Sequence, residues 1–274
     1  MATFTVDAEK CNKDEICVQA CPRKVIRFNS QEELPEPTED FEDYCLACGH
    51  CVAVCPTGAF RMNWLSPGEC MPVDKKKVLT PEQAEQFLRS RRSIRNFKEK
   101  PVERGKLEKL LEIACFAPSA KNNQLWHWTI VEDPDDVRRY AGLVIDWMRS
   151  VIEQFPEQAE ARVLPRVVAA WDAGEERICR GAPHVIVVHG EKDYGFGAED
   201  GALALSYLEL FAPTLGLGSC WGGYFYSAVN AYPPLFEALG LPAEHRAFGA
   251  VMVGYPRFRY QRLPLRNRPE VSWK

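Results

Sequence analysis

Residues 45–56 read CLACGHCVAVCP. Four cysteines stand at the spacing C-x2-C-x2-C-x3-C, and a proline follows the last. Spacing this tight lets three thiolates, Cys45, Cys48 and Cys51, converge on one cubane while Cys55 points away. Thiolates suit iron because both are soft enough for covalent iron–sulfur bonding. C-x2-C pairs also hold zinc, but the Cys-Pro ending favours iron. Upstream, residues 11–22 read CNKDEICVQACP, and the two stretches align twelve for twelve. Self-similarity of this kind marks a duplication. Cys11, Cys17, Cys21 and Pro22 fall on the pattern, and Asp14 stands where the second cysteine is expected.

Over residues 3–62 the region resembles bacterial two-cluster ferredoxins. In such proteins the fourth cysteine of each run serves the other cluster. The resemblance therefore implies one [4Fe-4S] cluster on Cys45, Cys48, Cys51 and Cys21. The second cluster would take Cys11, Cys17 and Cys55, with Asp14 at its variable corner. A carboxylate is a harder, more labile iron ligand than a thiolate. That corner is compatible with either a [3Fe-4S] or an Asp-ligated [4Fe-4S] cluster.

The chain has 274 residues, 46% of them hydrophobic, enough for a sizeable core and more than one domain. No apolar run approaches a membrane span, and MATFTVDAEK lacks a basic-then-apolar leader pattern, so the expected location is the cytoplasm, with no membrane partner. Seven of the eleven cysteines lie within residues 11–55, which argues for cluster ligands over disulfides. Residues 1–74 carry 6 basic and 13 acidic side chains, and the remainder 28 and 25. An acidic head argues against nucleic-acid binding and suits a solvated face or a basic redox partner.

Pro, Gly and three consecutive lysines in LSPGECMPVDKKKVLT (65–80) read as a linker. The expected organisation is a cluster domain over 1–64, a linker over 65–79 and a second domain over 80–274. In the second domain, Thr80 as N-cap and Pro81 at the first helical position open a helix. Helices are expected at 81–91, 103–116, 134–155, 160–177, 198–215 and 232–239. Strands are expected at 127–132, 184–189, 217–221 and 247–254. The pattern predicts an α+β domain, a sheet flanked by helices.

Four motifs stand out in this domain. RRSIRNF (91–97) gathers three arginines and a serine, a donor set suited to phosphate. APSAKNNQLWHW (117–128) leads into a strand, LGLGSCWGGYF (215–225) follows an apolar helix, and VGYPRFRYQRLPLR (253–266) follows the last strand. In this order and spacing, residues 80–274 resemble the nitroreductase family of FMN enzymes. The resemblance implies that Arg91, Arg92, Ser93 and Arg95 bind the FMN phosphate, ribityl chain and pyrimidine edge. Pro118, Ser119, Ala120 and Asn122 would reach the ring from a partner subunit. Trp221, Gly222 and Gly223 would lie along the isoalloxazine, and Arg262 and Arg266 would return to the phosphate from the tail.

The resemblance further implies a homodimer, with helices 134–155 and 198–215 as interface candidates and the C-terminal arm wrapping the partner. It implies ping-pong reduction of nitroaromatic, quinone or similar conjugated acceptors. No catalytic side chain is singled out. NAD(P)H or a soluble ferredoxin are candidate donors, although no nicotinamide fingerprint is present. Reductive dehalogenation, activated double-bond reduction and electron transfer between protein partners are competing readings. Residues 140–180 are where a substrate lid is expected. His127, Trp126 and Trp128 read as packing residues, and His184 and His189 as flanking a core strand. Cys115, Cys179 and Cys220 read as small buried hydrophobes, and Cys70 as a linker residue.

Overall fold

The computed structural model describes residues 4–30 and 33–274. The chain divides into two compact units, one of residues 1–78 with Lys121–Asn123, the other of residues 79–120 and 124–274.

The first unit is built on the duplicated loops. Strand β1 (Phe4–Val6) leads into the first loop and helix α1 (Ile16–Ala20). Strands β2 (Ile26–Arg27) and β3 (Glu36–Pro37) pair antiparallel. Helix α2 (Phe41–Tyr44) precedes the second loop, which carries α3 (His50–Val54). Strand β4 (Phe60–Met62) closes the unit by pairing antiparallel with β1. Phe4, Phe41, Phe60 and Val52 form its small core. Phe4 and Phe60 stack at 4.5 Å. So small a core favours staples such as metal clusters.

This unit extends beyond the expected boundary at residue 64. Leu65 pairs back to Met62 and packs on the core, and a capping box at Ser66 and Glu69 shapes the next turn. Cys70 is half-buried there, with Sγ donating to Ser66 O. The packed stretch therefore reaches into a segment that composition alone marks as linker.

The second unit opens on α4 (Pro81–Ser90), whose Thr80 hydroxyl accepts from Gln83 N while Gln83 Oε1 accepts from Thr80 N. It continues with α5 (Arg104–Ala114), β5 (His127–Val131) and α6 (Pro134–Gln154). Then come α7 (Pro156–Ala161), α8 (Leu164–Asp172), β6 (His184–Glu191) and α9 (Gly197–Phe211). The last elements are β7 (Gly218–Trp221), α10 (Gly223–Ala231), α11 (Pro233–Ala238) and β8 (His245–Gly254). The four strands form one antiparallel sheet in the order β5-β6-β8-β7.

Alternation along the central strands sorts side chains into two cores. Val185 and Val187 face the core that also holds Val144, Ile145 and Leu164, whereas Ile186 and Val188 face Leu107, Leu110 and Leu205. Helices thus cover both faces, as the α+β expectation requires. The register shifts between Val188 and His189, so Phe248 is left unpaired between Gly249 and Ala247. Such a bulge flips the facing of the residues beyond it, and Phe248 and Val251 consequently share a core. Among the described residues no helix is long and apolar enough to cross a membrane.

Two stretches differ from the expectation. The helix expected at 160–177 is split into α7 and α8, because Val163 adopts a left-handed conformation (φ 60°) and Pro165 starts a new helix. Helix α10 has no counterpart in the expectation: its three aromatic residues and glycine start disguise a segment whose Phe225, Ala228 and Val229 are buried.

Candidate functional site

In the first unit the two loops have the same backbone. Lys13 and Ala47, Glu15 and Gly49, and Lys24 and Gly58 all take positive φ at matching positions. Glu15 O accepts from Val18 N and Gln19 N, as Gly49 O does from Val52 N and Ala53 N. Each loop therefore places two left-handed residues before a five-residue helix, and Cys17 and Cys51 sit at the same place on those helices.

The thiols fall into two groups, and each draws a cysteine from the opposite loop. Cys21 lines a pocket with Cys45, Cys48 and Cys51. Burial, with the neighbouring Cys48 and Cys45, pushes the Cys51 thiol up to about 12. Cys17 is pushed up to about 11 by burial and by the proximity of Cys11 and Cys55. Cys55 is also raised by burial, but hydrogen bonds from Thr57 and from the backbone at Phe60, Ala59 and Thr57 outweigh this and leave it below the ordinary thiol range. Ala59 N donates to Cys55 Sγ at 3.3 Å. Donors of this kind tune a cluster's potential. Among the described residues no three His, Cys, Asp or Glu side chains close on a single ion position. The donor set fits clusters, in which each thiolate binds its own iron. Asp14 is exposed, and its Oδ1 accepts from Ile16 N, the first amide of α1, at 3.1 Å.

In the second unit RRSIRNF runs beside β7. Ser93 bridges Ser219 in parallel, and Ile94 N donates to Ser219 O at 2.9 Å. Gly218 makes this possible: a Cβ there would meet Ile94 Cγ1 at 2.3 Å. Arg91 Nη1 lies 3.7 Å from Glu209 Oε1, which also accepts from Ser219 Oγ at 3.1 Å. The Arg92 guanidinium lies over the Tyr260 ring, and its buried Nε has no partner among the described residues. A buried guanidinium nitrogen without an acceptor, beside half-buried Arg91 and Ser93, fits an incoming phosphate.

Arg95 shares one cleft with Trp221, Gly222 and Gly223, where β7 turns into α10. Gly222 N donates to Ala250 O at 2.8 Å, and beyond Gly223 there is open space for a ligand. Ala120 N donates to both carboxylate oxygens of buried Asp200 (3.0 and 3.2 Å), which also accepts from Tyr194 OH at 2.5 Å. Gln124 N donates to Ser119 Oγ at 3.0 Å. Pro118 is exposed, and Asn122 (φ 58°) falls in the segment that groups with the first unit.

Arg262 and Arg266 are exposed on the tail, and neither lines the pocket that contains Arg92. Tyr260 and Arg259 line the pocket that contains Arg92 instead. Cys115 is exposed, not buried, and His127 is exposed with its ring 4.8 Å from His245. His184 is buried, its Nε2 accepting from Val102 N. The reading of motifs missed Asp200 and Glu209. Each is an acid on the mostly apolar helix α9, a local charge cost that signals a partner.

A unit whose paired thiol groups suit clusters, joined to an α+β unit with a phosphate-type arginine cluster, defines a two-module redox protein. The family comparisons agree. Residues 88–255 match the nitroreductase family and residues 3–59 a 4Fe-4S dicluster domain. An NADH dehydrogenase of Thermus thermophilus is 30% identical over 200 residues, covering 67% of this chain and 92% of its own. A ferredoxin of Methanothermococcus thermolithotrophicus is 35% identical over 63 residues, covering 22% of this chain and 98% of its own. The crystal structure of an oxidized iodotyrosine deiodinase bound to FMN and 3-iodo-L-tyrosine superposes with a TM-score of 0.51 at 25% identity, covering 69% of this chain and 98% of its own. The chain belongs to the nitroreductase family and carries an N-terminal 4Fe-4S dicluster domain. It is an FMN-dependent oxidoreductase.

Proposed function

We propose that the protein reduces nitroaromatic, quinone or similar conjugated acceptors at FMN, with its cluster domain relaying electrons to or from the flavin. The observation that carries this reading is the joint presence of two crossed thiol groups and a cleft in which Arg95 meets the Trp221–Gly223 turn. FMN, when bound, supplies two-electron chemistry, while clusters pass single electrons.

The chain's own residues hold and orient. Arg91, Arg92 and Ser93 grip the phosphate, with Glu209 setting Arg91, and Arg95 places positive charge at the pyrimidine edge. Gly222 and Gly223 allow backbone to approach the ring face. In a homodimer, Pro118, Ser119, Ala120 and Asn122 reach the partner's flavin, and Asp200 fixes this loop through Ala120 N. One cluster is [4Fe-4S], and the other, at Asp14, is [3Fe-4S] or an Asp-ligated [4Fe-4S]. NAD(P)H and a soluble ferredoxin are the candidate donors. A cytoplasmic location suits oxygen-sensitive clusters.

The test is anaerobic. The purified protein is assayed for FMN and iron, then reduced with NADH, NADPH or reduced ferredoxin while flavin and cluster signals are followed separately. Stoichiometric FMN, about seven or eight irons per chain, and reoxidation by a nitroaromatic or quinone are expected. Absence of FMN, or a flavin that no conjugated acceptor reoxidises, overturns the reading. Reductive dehalogenation is the second reading, favoured by the likeness to iodotyrosine deiodinase. Release of halide from a halogenated phenol, with nitroaromatics inert, would establish it.

A further inference from the structure

The cleft that holds Arg95 and the Trp221–Gly223 turn has three further arginines on its walls, Arg162, Arg177 and Arg180. None belongs to the RRS segment, and among the described residues no carboxylate lines the cleft. It is about 890 Å³ including its open mouth, a volume suited to a small-molecule site.

The arginines are held by a built loop. Glu176 Oε1 accepts from Ile178 N and Cys179 N, both at 2.6 Å, and Oε2 accepts from Gly181 N at 2.9 Å. Glu176, one of the two acids on that loop, is thus engaged by backbone amides. Arg180 and Gly181 then take consecutive left-handed conformations (φ 59° and 71°), a cost for arginine that the loop holds in place. Arg177 pairs with Glu175 at 2.5 Å outside the cleft. Arg162, at the end of α7, donates to Ser227 Oγ at 3.1 Å, lies over the Trp147 ring, and is fixed by Tyr224 OH donating to its carbonyl. The floor is apolar, with Cys220 and Met252 beside Trp221.

An apolar lining beside a set of arginines suits a conjugated molecule that bears an anion. We propose that the acceptor reduced here is a carboxylate-bearing aromatic or conjugated compound, its carboxylate held by Arg177 and Arg180 with Arg162 completing the rim. This rests on the cleft being the flavin-side substrate site.

The test titrates oxidised holoprotein with 4-nitrobenzoate and with its methyl ester, following the flavin absorbance, and measures reoxidation of dithionite-reduced protein by each. Wild type should bind the acid at least tenfold more tightly than the ester and be reoxidised faster by it at low concentration. Arg180→Gln and Arg177→Gln should each reduce that preference severalfold, with Arg180→Lys restoring part of it, and FMN content should stay at the wild-type level. Equal binding of acid and ester by wild type overturns the proposal. So does loss of FMN from either glutamine variant, since the arginines would then hold the cofactor. Wild-type protein lacking FMN instead overturns the functional reading beneath, and is seen before any ligand is added.

Discussion

The two cysteine loops have one backbone and two chemistries. Lys13, Glu15 and Lys24 repeat the positive φ of Ala47, Gly49 and Gly58, although only the second loop has glycine at two of these places. Non-glycine residues in that conformation cost about 1 kcal/mol each, so the first loop keeps its shape against local preference. The difference that matters lies at one corner, where Asp14 replaces Cys48. The carboxylate already has a local task, accepting the Ile16 amide. The duplicated loops thus share a backbone cradle and differ in the side chain at one ligand position.

Crossed ligation gives the largest expected effects. Cys55→Ala should abolish the cluster on Cys11 and Cys17 while sparing that on Cys45, Cys48 and Cys51. Cys21→Ala should do the reverse. Each variant should lose roughly half the iron, and EPR of the reduced and oxidised protein should show which signal is gone. If Cys55→Ala instead removes the signal that Cys48→Ala removes, each loop feeds its own cluster and the comparison fails.

The corner itself is next. Asp14→Cys should give a full [4Fe-4S] cluster in the first loop, with iron near eight per chain and a shifted potential. Asp14→Asn keeps an oxygen for Ile16 N and removes the charge. If the corner holds no iron in wild type, Asp14→Asn should leave iron content and EPR unchanged. If Asp14 binds iron, this variant should drop to a [3Fe-4S] signal. Together the variants separate the Ile16 amide contact from ligation.

Much of this was legible before any coordinate. Cysteine spacing is a local code, since three ligands within seven residues must fold onto one point, and the buried strands announce themselves as apolar runs such as HVIVV (184–188). Long-range placement was not legible. Arg162, Arg177 and Arg180 come from a helix end and a loop, and only the break at Val163 and the amide cage around Glu176 bring them to one cleft. Asp200 reads as an ordinary helical acid until Ala120 is placed against it. Leu65 reads as linker because Pro, Gly and three lysines follow it, and its single bridge to Met62 leaves no pattern in the sequence. The tail arginines were assigned by analogy, and the tail's own aromatic, Tyr260, is the group that meets Arg92.

The smallest effects test the backbone half of the comparison. Glu15 and Gly49 occupy the same left-handed position, at φ 60° and 71°. Glu15→Gly removes the steric cost of a Cβ there but loosens the unfolded chain, and the two terms oppose. The steric term is the larger, so the variant should stabilise the cluster-loaded unit by roughly 0.5 kcal/mol. Gly49→Ala should do the opposite and by more, about 1–2 kcal/mol, because its Cβ would also press on Leu65 Cδ2 at 3.0 Å. Anaerobic thermal melts followed by cluster absorbance measure both. Equal and opposite shifts would mean that the loops differ only in side-chain chemistry. A larger loss at Gly49 would show that the second loop alone is braced against the rest of its unit, which the Leu65 contact predicts.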